Sequence, residues 1–177
     1  MASILRFDNW QNSDGTSIAT TDASGNISFA GAGAGKILQV VRATDATDHT
    51  ITSTSFVDIS GMSVTITPTS ATSTILVIAT FVGRNGDTSA TAGVMNFRLT
   101  DGTNPLSGAE YGEMRELVFS GTTNVITSTI TMIGYDAPAT TSPITYKLQA
   151  RQQSSTVAEI ANSTNSTGQI LAVEVSA

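Results

Sequence analysis

Short apolar segments of strand length, separated by turn residues, run through most of this chain. In the segment GVMNFRL, the residues Met95, Phe97 and Leu99 alternate with the other side chains. Alternation of period two places the two sets on opposite faces of a strand, so we expect these three residues to face a core. About eight to ten such segments, joined by loops, predict an all-β fold. We expect an antiparallel β-sandwich of jelly-roll type.

The predicted strands differ in how much of each should be buried. Residues 36–43 are expected to open the sandwich as a buried strand, and residues 74–82 to form its most hydrophobic, central strand. In residues 144–152, the alternating inward set is Ile144, Tyr146, Leu148 and Ala150. The other predicted strands are 50–59, with Phe56 and Val57 as its apolar centre, 62–67, 93–99, 124–135, 157–160 and 169–175.

Residues 109–119, AEYGEMRELVF, are the only segment with helical character. Their apolar residues recur at a spacing that suits one or two helical turns. Gly112 weakens a helix, so a bent edge strand is the open alternative.

The first 29 residues form a separate polar segment with three short apolar patches. Asp14-Gly15 predicts a hairpin turn between the first two patches. Three strands this short cannot close a core by themselves, so their large apolar residues would be exposed on a monomer. We predict that this extended β segment is an anchor that docks on a partner; folding back on the main domain is the alternative. The predicted docking residues are Ile4, Phe7, Trp10, Ile18, Ile27 and Phe29.

A glycine–alanine run, AGAGAG at residues 30–35, follows the anchor. Its glycines are spaced by two, so GxGxxG is absent, and Ile37 follows Lys36 where a P-loop needs Ser or Thr. We interpret the run as a narrow neck. The predicted organisation is therefore an anchor at 1–29, a neck at 30–35 and a displayed β-sandwich at 36–177.

Charge and composition exclude several classes of function. The net charge of -6 argues against binding nucleic acid through phosphates, and the lack of cysteine removes thiol chemistry and disulfides. The longest apolar run is strand length, far short of the ~20 residues of a membrane helix, so we expect no membrane insertion. Ser and Thr, 21 and 29 residues respectively, supply much of the polar surface.

The single histidine, His49, lies in the sequence DATDH with Asp45 and Asp48. An imidazole and two carboxylates could form the corner of a metal site. The ordinary interpretation is a polar loop between strands. We expect no metal and no other cofactor here.

Three glutamates, Glu110, Glu113 and Glu116, would share one face if residues 109–119 were helical. Paired carboxylates are the machinery of glycoside hydrolysis, but a solvated charged face is the ordinary explanation. Together with the absence of recognisable catalytic motifs, this leads us to expect no catalytic residues and no enzyme.

Two motifs resemble a known family. GKILQVV at residues 35–41 and SFVDISGMSVTITP at residues 55–68 resemble segments of fibre-like virion proteins of tailed bacteriophages, particularly phages of aquatic bacteria. The opening residues, LRFDNWQNSDGTSIATTDASGNISF, are similar to the N-terminus of those proteins. The chain departs from the pattern at Thr74, where lysine is expected.

The resemblance implies a homotrimeric, β-rich appendage of a virion, assembled in the cytoplasm of the host bacterium. Because 177 residues leave no room for a long shaft, we expect a capsid decoration or head-fibre protein that contacts other virion proteins. The alternative is a short tail-associated receptor-binding protein whose loops at 83–91, 101–108 and 162–168 contact host surface glycans. A polysaccharide depolymerase is a third, less favoured class.

Overall fold

A computed structural model describes residues 9–11, 13–21, 27–29, 35–87, 93–115, 124–154 and 157–177. All regular elements in these ranges are β-strands. No helix within them is long and apolar enough to cross a membrane. The strands are β1 (Asn9–Gln11), β2 (Ser17–Thr21), β3 (Ile27–Phe29), β4 (Ile37–Asp45), β5 (Asp48–Thr50), β6 (Val57–Ile66), β7 (Thr74–Asp87), β8 (Val94–Thr100), β9 (Gly112–Arg115), β10 (Asn124–Asp136), β11 (Ile144–Gln152), β12 (Val157–Ala161) and β13 (Gly168–Val175).

The strands form three antiparallel sheets, which confirms the predicted all-β antiparallel sandwich. A small sheet has the order β1-β2-β3, and its strands pair only with one another within the described residues. A four-stranded sheet has the order β6-β11-β8-β9. A six-stranded sheet has the order β4-β13-β7-β12-β5, and β10 pairs with the other edge of β7.

The hydrophobic core lies between the four-stranded and six-stranded sheets. Six of the seven predicted inward residues of β8 and β11 are fully buried, namely Met95, Phe97, Leu99, Tyr146, Leu148 and Ala150. The seventh, Ile144, is partly buried and packs against the core. From the six-stranded sheet, β7 contributes Ile75, Val77, Ala79 and Phe81. The Phe81 and Phe97 rings meet edge to face across the core, with centroids 5.0 Å apart, a favoured aromatic geometry.

Strand β7 is central, as predicted, but it is longer than its apolar run. It continues to Asp87, so the first part of the predicted loop at 83–91 is strand. Asn85 is fully buried there, and its amide donates hydrogen bonds to the carbonyl oxygens of Gly93 (2.8 Å) and Met114 (3.1 Å). These two bonds offset the cost of burying a polar side chain, which is why the strand tolerates it.

Three predictions for the start of the sandwich are wrong. Residues 57–66 form one strand with an irregularity in its pairing to β11, rather than two strands with a break at 60–61. Gly61 allows this because its φ of 78° lies in the left-handed region that favours glycine. Phe56 is therefore not at the centre of a strand; it precedes β6. Strand β4 is an edge strand with an exposed outer face, not a buried strand.

The helix predicted for residues 109–119 is wrong where the structure describes it. Residues 112–115 form β9, an edge strand on β8, so the alternative of an edge strand is confirmed there. Met114 faces the core and Glu113 faces outward, the alternation of a strand. Burial of one apolar face against β8 overrides the local helical spacing. Residues 116–119 lie outside the described residues.

A buried Asn162 connects the two strands that share one edge of β7. Residues 74–80 of β7 pair with β13 and residues 83–86 pair with β12, so the edge changes partner near Val82. The Asn162 side-chain oxygen accepts a hydrogen bond from the Val82 backbone N–H (3.2 Å). Its amide donates to the buried Asp45 carboxylate at the end of β4 (3.1 Å). Gly168 leaves the space that this amide fills.

A second buried carboxylate, Glu174 of β13, organises the opposite end of the sheet. Its oxygens accept hydrogen bonds from the Gln39 amide (2.6 Å) and from the Thr69 backbone N–H (2.7 Å) and hydroxyl (2.8 Å). Burial alone would raise the pKa of Glu174, but the hydrogen bonds prevail and lower it to about 2. The ionised side chain therefore ties β4 and the loop before β7 to β13.

We expect Asn162→Ala to lower the free energy of unfolding by about 1–3 kcal/mol. The substitution removes the acceptor for the Val82 N–H and one donor to the buried Asp45 carboxylate. The matched control is Asn165→Ala in the exposed turn of the same loop, with an expected change below about 0.5 kcal/mol. Urea denaturation measures both; equal effects would contradict a structural role for Asn162.

Glu174→Gln should lower stability at pH 7 and flatten its dependence on acid. The pKa of Glu174 in the folded protein is depressed, so its stabilising contribution is complete above about pH 4.5 and is lost as the pH falls towards about 2. Glutamine keeps the size but removes this titration. Urea unfolding at several pH values between 7 and 2 tests the prediction, with the exposed Glu110→Gln as control. A variant whose stability declines as steeply as wild type would refute it.

Candidate interaction surfaces

Large apolar side chains are exposed on the small N-terminal sheet. Trp10 is 61%, Ile27 63% and Ile18 45% exposed. Trp10 and Ile27 share a face with the buried Ala19, as the register of β1, β2 and β3 shows, whereas Ile18 lies on the other face. Of the other predicted docking residues, Ile4, Phe7 and the Phe29 side chain lie outside the described residues. Docking through these residues stays a prediction.

The last residue of the neck, Gly35, is hydrogen-bonded to Ser176, just after β13. Only Gly35 of the glycine–alanine run is described; its φ of 78° is one that glycine adopts readily. The Gly35 N–H donates to the Ser176 carbonyl (3.1 Å), and the Ser176 N–H donates to the Lys36 carbonyl (2.9 Å). The N-terminal segment therefore joins the six-stranded sheet where β4 begins and β13 ends.

The outer face of the six-stranded sheet carries an apolar patch beside this junction. One row of neighbours crosses four strands: Val40, Val173, Leu76 and Tyr135. Val40 is 53% and Tyr135 50% exposed, and the two central residues are half-buried. We call this surface the apolar patch, formed by Leu38, Val40, Leu171, Val173, Leu76, Ile78, Ile133 and Tyr135.

The apolar patch ends where polar rows begin. The register places Thr44, Gln169, Thr80 and Thr131 side by side, and the Thr80 and Thr131 hydroxyls lie 3.2 Å apart. Arg42 borders the patch at its β4 edge. Antiparallel sandwiches usually present a polar outer face to water, so an exposed apolar outer face is a candidate interaction surface.

The outer face of the four-stranded sheet has the opposite character. Four of the chain's eight basic residues lie on it with two acidic residues. Lys147 forms an ion pair with Asp58 (2.6 Å) and Arg115 with Glu113 (3.0 Å). We call this surface the charged face, formed by Phe56, Asp58, Lys147, Gln149, Arg151, Asn96, Arg98, Tyr111, Glu113 and Arg115.

Two hydrogen-bond chains cross the charged face. In one, the Arg98 Nε donates to the Gln149 side-chain oxygen (2.7 Å), and the Gln149 amide donates to Asp58 (2.6 Å). The hydrogen bond from Lys147, then that from Gln149, lowers the pKa of Asp58 despite the opposing effect of burial. This carboxylate therefore stays ionised at neutral pH and fixes the Gln149 amide.

The second chain runs from Arg151 through the buried Asn96 to Tyr111. Arg151 Nε donates to the Asn96 side-chain oxygen (3.0 Å), and the Asn96 amide donates to the Tyr111 hydroxyl oxygen (2.7 Å). The Tyr111 hydroxyl in turn donates to Glu113 (3.1 Å). Tyr111 is thereby held at its hydroxyl while 52% of the residue is exposed.

Both chains begin at an arginine that lies over the same aromatic ring. The guanidinium carbons of Arg98 and Arg151 are 4.3 Å and 4.9 Å from the centroid of the Phe56 ring. Neither arginine forms an ion pair within 4 Å of a carboxylate among the described residues, although the charge of Arg98 contributes to lowering the pKa of Asp58. Sequence reasoning placed Phe56 in a strand centre and missed this cluster, since no local pattern links residues 56, 98 and 151.

The metal corner at Asp45, Asp48 and His49, considered as an alternative from the sequence, is not assembled as a metal site in the described residues. Asp45 receives hydrogen bonds from Asn162, His49 (2.8 Å) and the Thr47 N–H (3.1 Å), while Asp48 is exposed. His49 lies in the short strand β5 rather than in a loop. No group of three or more metal-binding side chains occurs within the described parts of the chain.

The three glutamates, Glu110, Glu113 and Glu116, are not shown on one helical face, as the alternative of paired catalytic carboxylates needs. Glu113 lies on β9 and pairs with Arg115, whose hydrogen bond lowers the pKa of Glu113. Glu110 is exposed before the strand, and Glu116 lies outside the described residues. Because residues 112–115 form a strand, the helical spacing that would have aligned the glutamates does not occur in this part of the chain.

Comparison with protein-family models and with curated proteins finds no match to this chain.

Proposed function

We propose that this chain is a non-enzymatic structural protein of a bacteriophage virion. It acts as a homotrimeric capsid decoration or head-fibre protein, docked through its N-terminal segment with the sandwich displayed outward. The observation that carries the proposal is the position of the exposed apolar residues. Seven of the twelve large hydrophobic residues that are exposed in the described part of the chain lie on the N-terminal sheet or on the apolar patch, and the N-terminal segment joins the sandwich beside that patch.

The N-terminal sheet supports docking because it cannot bury its own large side chains. A three-stranded sheet with three-residue outer strands is marginally stable without a packed face. Trp10 and Ile27 project from the same face, so one partner surface would cover both. Another virion protein, such as the major capsid protein, is the proposed partner.

The apolar patch supports self-association with further copies of this chain. Its central rows contain aliphatic residues and Tyr135, and a second apolar patch of the same kind complements it without charge matching. Three copies docked through adjacent N-terminal segments would bring the three patches together at the junction with the neck. A closed ring of three then covers all patches.

Val40→Glu tests the trimer. The substitution places a carboxylate at one end of the central row of the proposed interface, where burial without a partner costs several kcal/mol, and we expect a monomer. Thr44→Glu is the matched control, on the same face of the same strand about 13 Å away, and should remain trimeric. Sedimentation equilibrium gives the masses. A wild-type protein that is a monomer both in solution and in virions would refute the trimer, and a stable dimer would replace it.

Trp10→Ser combined with Ile27→Ser tests docking. Removing both exposed apolar side chains should reduce the copy number in purified virus particles at least tenfold, since each contributes on the order of 2 kcal/mol when buried. Mass spectrometry of the particles measures incorporation, and Thr20→Ala on the neighbouring strand is the control. Normal incorporation of the double variant would contradict docking through this sheet.

A short tail-associated receptor-binding protein is the second candidate, and the charged face favours it. Deletion of the gene separates the two roles. A decoration protein predicts less stable capsids with normal adsorption to the host. Abolished adsorption with intact heads would assign the receptor-binding role instead, and electron microscopy of labelled particles would place the protein on capsid or tail.

A further inference from the structure

We infer that the charged face binds the carboxylate of an acidic saccharide at Arg98 and Arg151. This inference goes beyond the proposed structural role and does not depend on it. The first observation is the charge of this surface. The protein carries a net charge of -6, yet the described side chains of the charged face include four basic and two acidic residues, and both acidic residues form ion pairs with other partners, Lys147 and Arg115. Arg98 is near enough to Asp58 to interact with it electrostatically, but it shares that carboxylate with Lys147. Arg98 and Arg151 both lie over Phe56.

The two guanidinium groups are held in fixed orientations before any ligand arrives. Each uses its Nε to donate to an amide oxygen, from Gln149 for Arg98 and from Asn96 for Arg151. Each amide is fixed in turn, by Asp58 and by the Tyr111 hydroxyl. Stacking on one ring limits rotation further. A preoriented donor loses less conformational entropy on binding.

The donors that remain suit a planar anion. A guanidinium group carries five N–H donors, and within the described residues the hydrogen bonds of Arg98 and Arg151 use only Nε. The terminal N–H groups therefore stay available for the paired oxygens of a carboxylate, which guanidinium binds in bidentate fashion.

The surroundings favour a saccharide as the carrier of that carboxylate. Tyr111 presents an exposed aromatic ring, held at its hydroxyl, on which the apolar face of a sugar ring stacks. Along the same sheet face, the hydroxyl groups of Thr65 and Thr145 bond to each other (2.8 Å) and offer further donors and acceptors for sugar hydroxyls. An aromatic ring with a few fixed polar groups is the usual composition of a small-ligand site.

Calorimetric titration of the full-length protein with tetragalacturonic acid tests the inference. Wild type should bind it, bind an uncharged tetrasaccharide at least tenfold more weakly, and lose affinity as salt is raised. Arg98→Ala with Arg151→Ala should weaken binding at least tenfold. The control is Arg42→Ala with Arg84→Ala, which removes the same charge from the six-stranded sheet and should change affinity less than twofold.

A second double variant separates loss of binding from loss of folding. Arg98→Lys with Arg151→Lys keeps the charge but removes the planar fork, and it should bind at least fivefold more weakly with an unchanged unfolding midpoint. The site would be refuted by absence of wild-type binding, or by full affinity of either double variant. Equal affinity for tetraglutamate would overturn the saccharide class and indicate an acidic peptide.

Discussion

The length of β7 is the constraint on which the rest of the sandwich depends. Its fourteen residues present backbone N–H and C=O groups along two edges, and these groups need partners when buried. Strand β10 pairs with one edge from end to end, but no single strand pairs with the whole of the other. Strands β13 and β12 divide it, and Asn162 supplies a hydrogen bond at the gap. Strands β4 and β5 repeat the division one strand further out, and Asp45 lies at that second junction.

The two outer faces of the sandwich differ in how favourable it is to cover them with another molecule. On the six-stranded sheet, the row from Val40 to Tyr135 exposes apolar area that water solvates poorly, so covering it with another apolar surface is favourable. On the four-stranded sheet, polar groups bond to one another across strands, and covering them would require matching partners. Self-association through the apolar patch therefore leaves the charged face directed away from the contact. The two proposals are physically compatible for this reason.

The sequence predicted those parts of the fold where one face of a strand is apolar and the other polar. Alternation in residues 93–99 and 144–152 identified the buried side chains of β8 and β11 correctly. Residues 74–82 and 170–175 are apolar at almost every position, so the pattern indicated central strands but could not show what lies against each of their faces. The Phe56 cluster could not be predicted, because it depends on strand order and on the register beyond Gly61. In residues 112–115, packing against β8 decided between two local conformations of similar propensity.

The pairing of Arg98 with Arg151 is better explained by a ligand than by stability. Both guanidinium carbons lie within 5 Å of one ring centroid, so the two charges are closer than about a Debye length, roughly 10 Å, and repel each other. The Phe56 ring, two amide oxygens and, for Arg98, the nearby Asp58 carboxylate reduce that repulsion, but neither arginine forms an ion pair of its own among the described residues. Lys147 and Arg115 on the same face, in contrast, each form an ion pair with a carboxylate. An anion that binds both arginines relieves the repulsion, and the free energy released adds to its affinity.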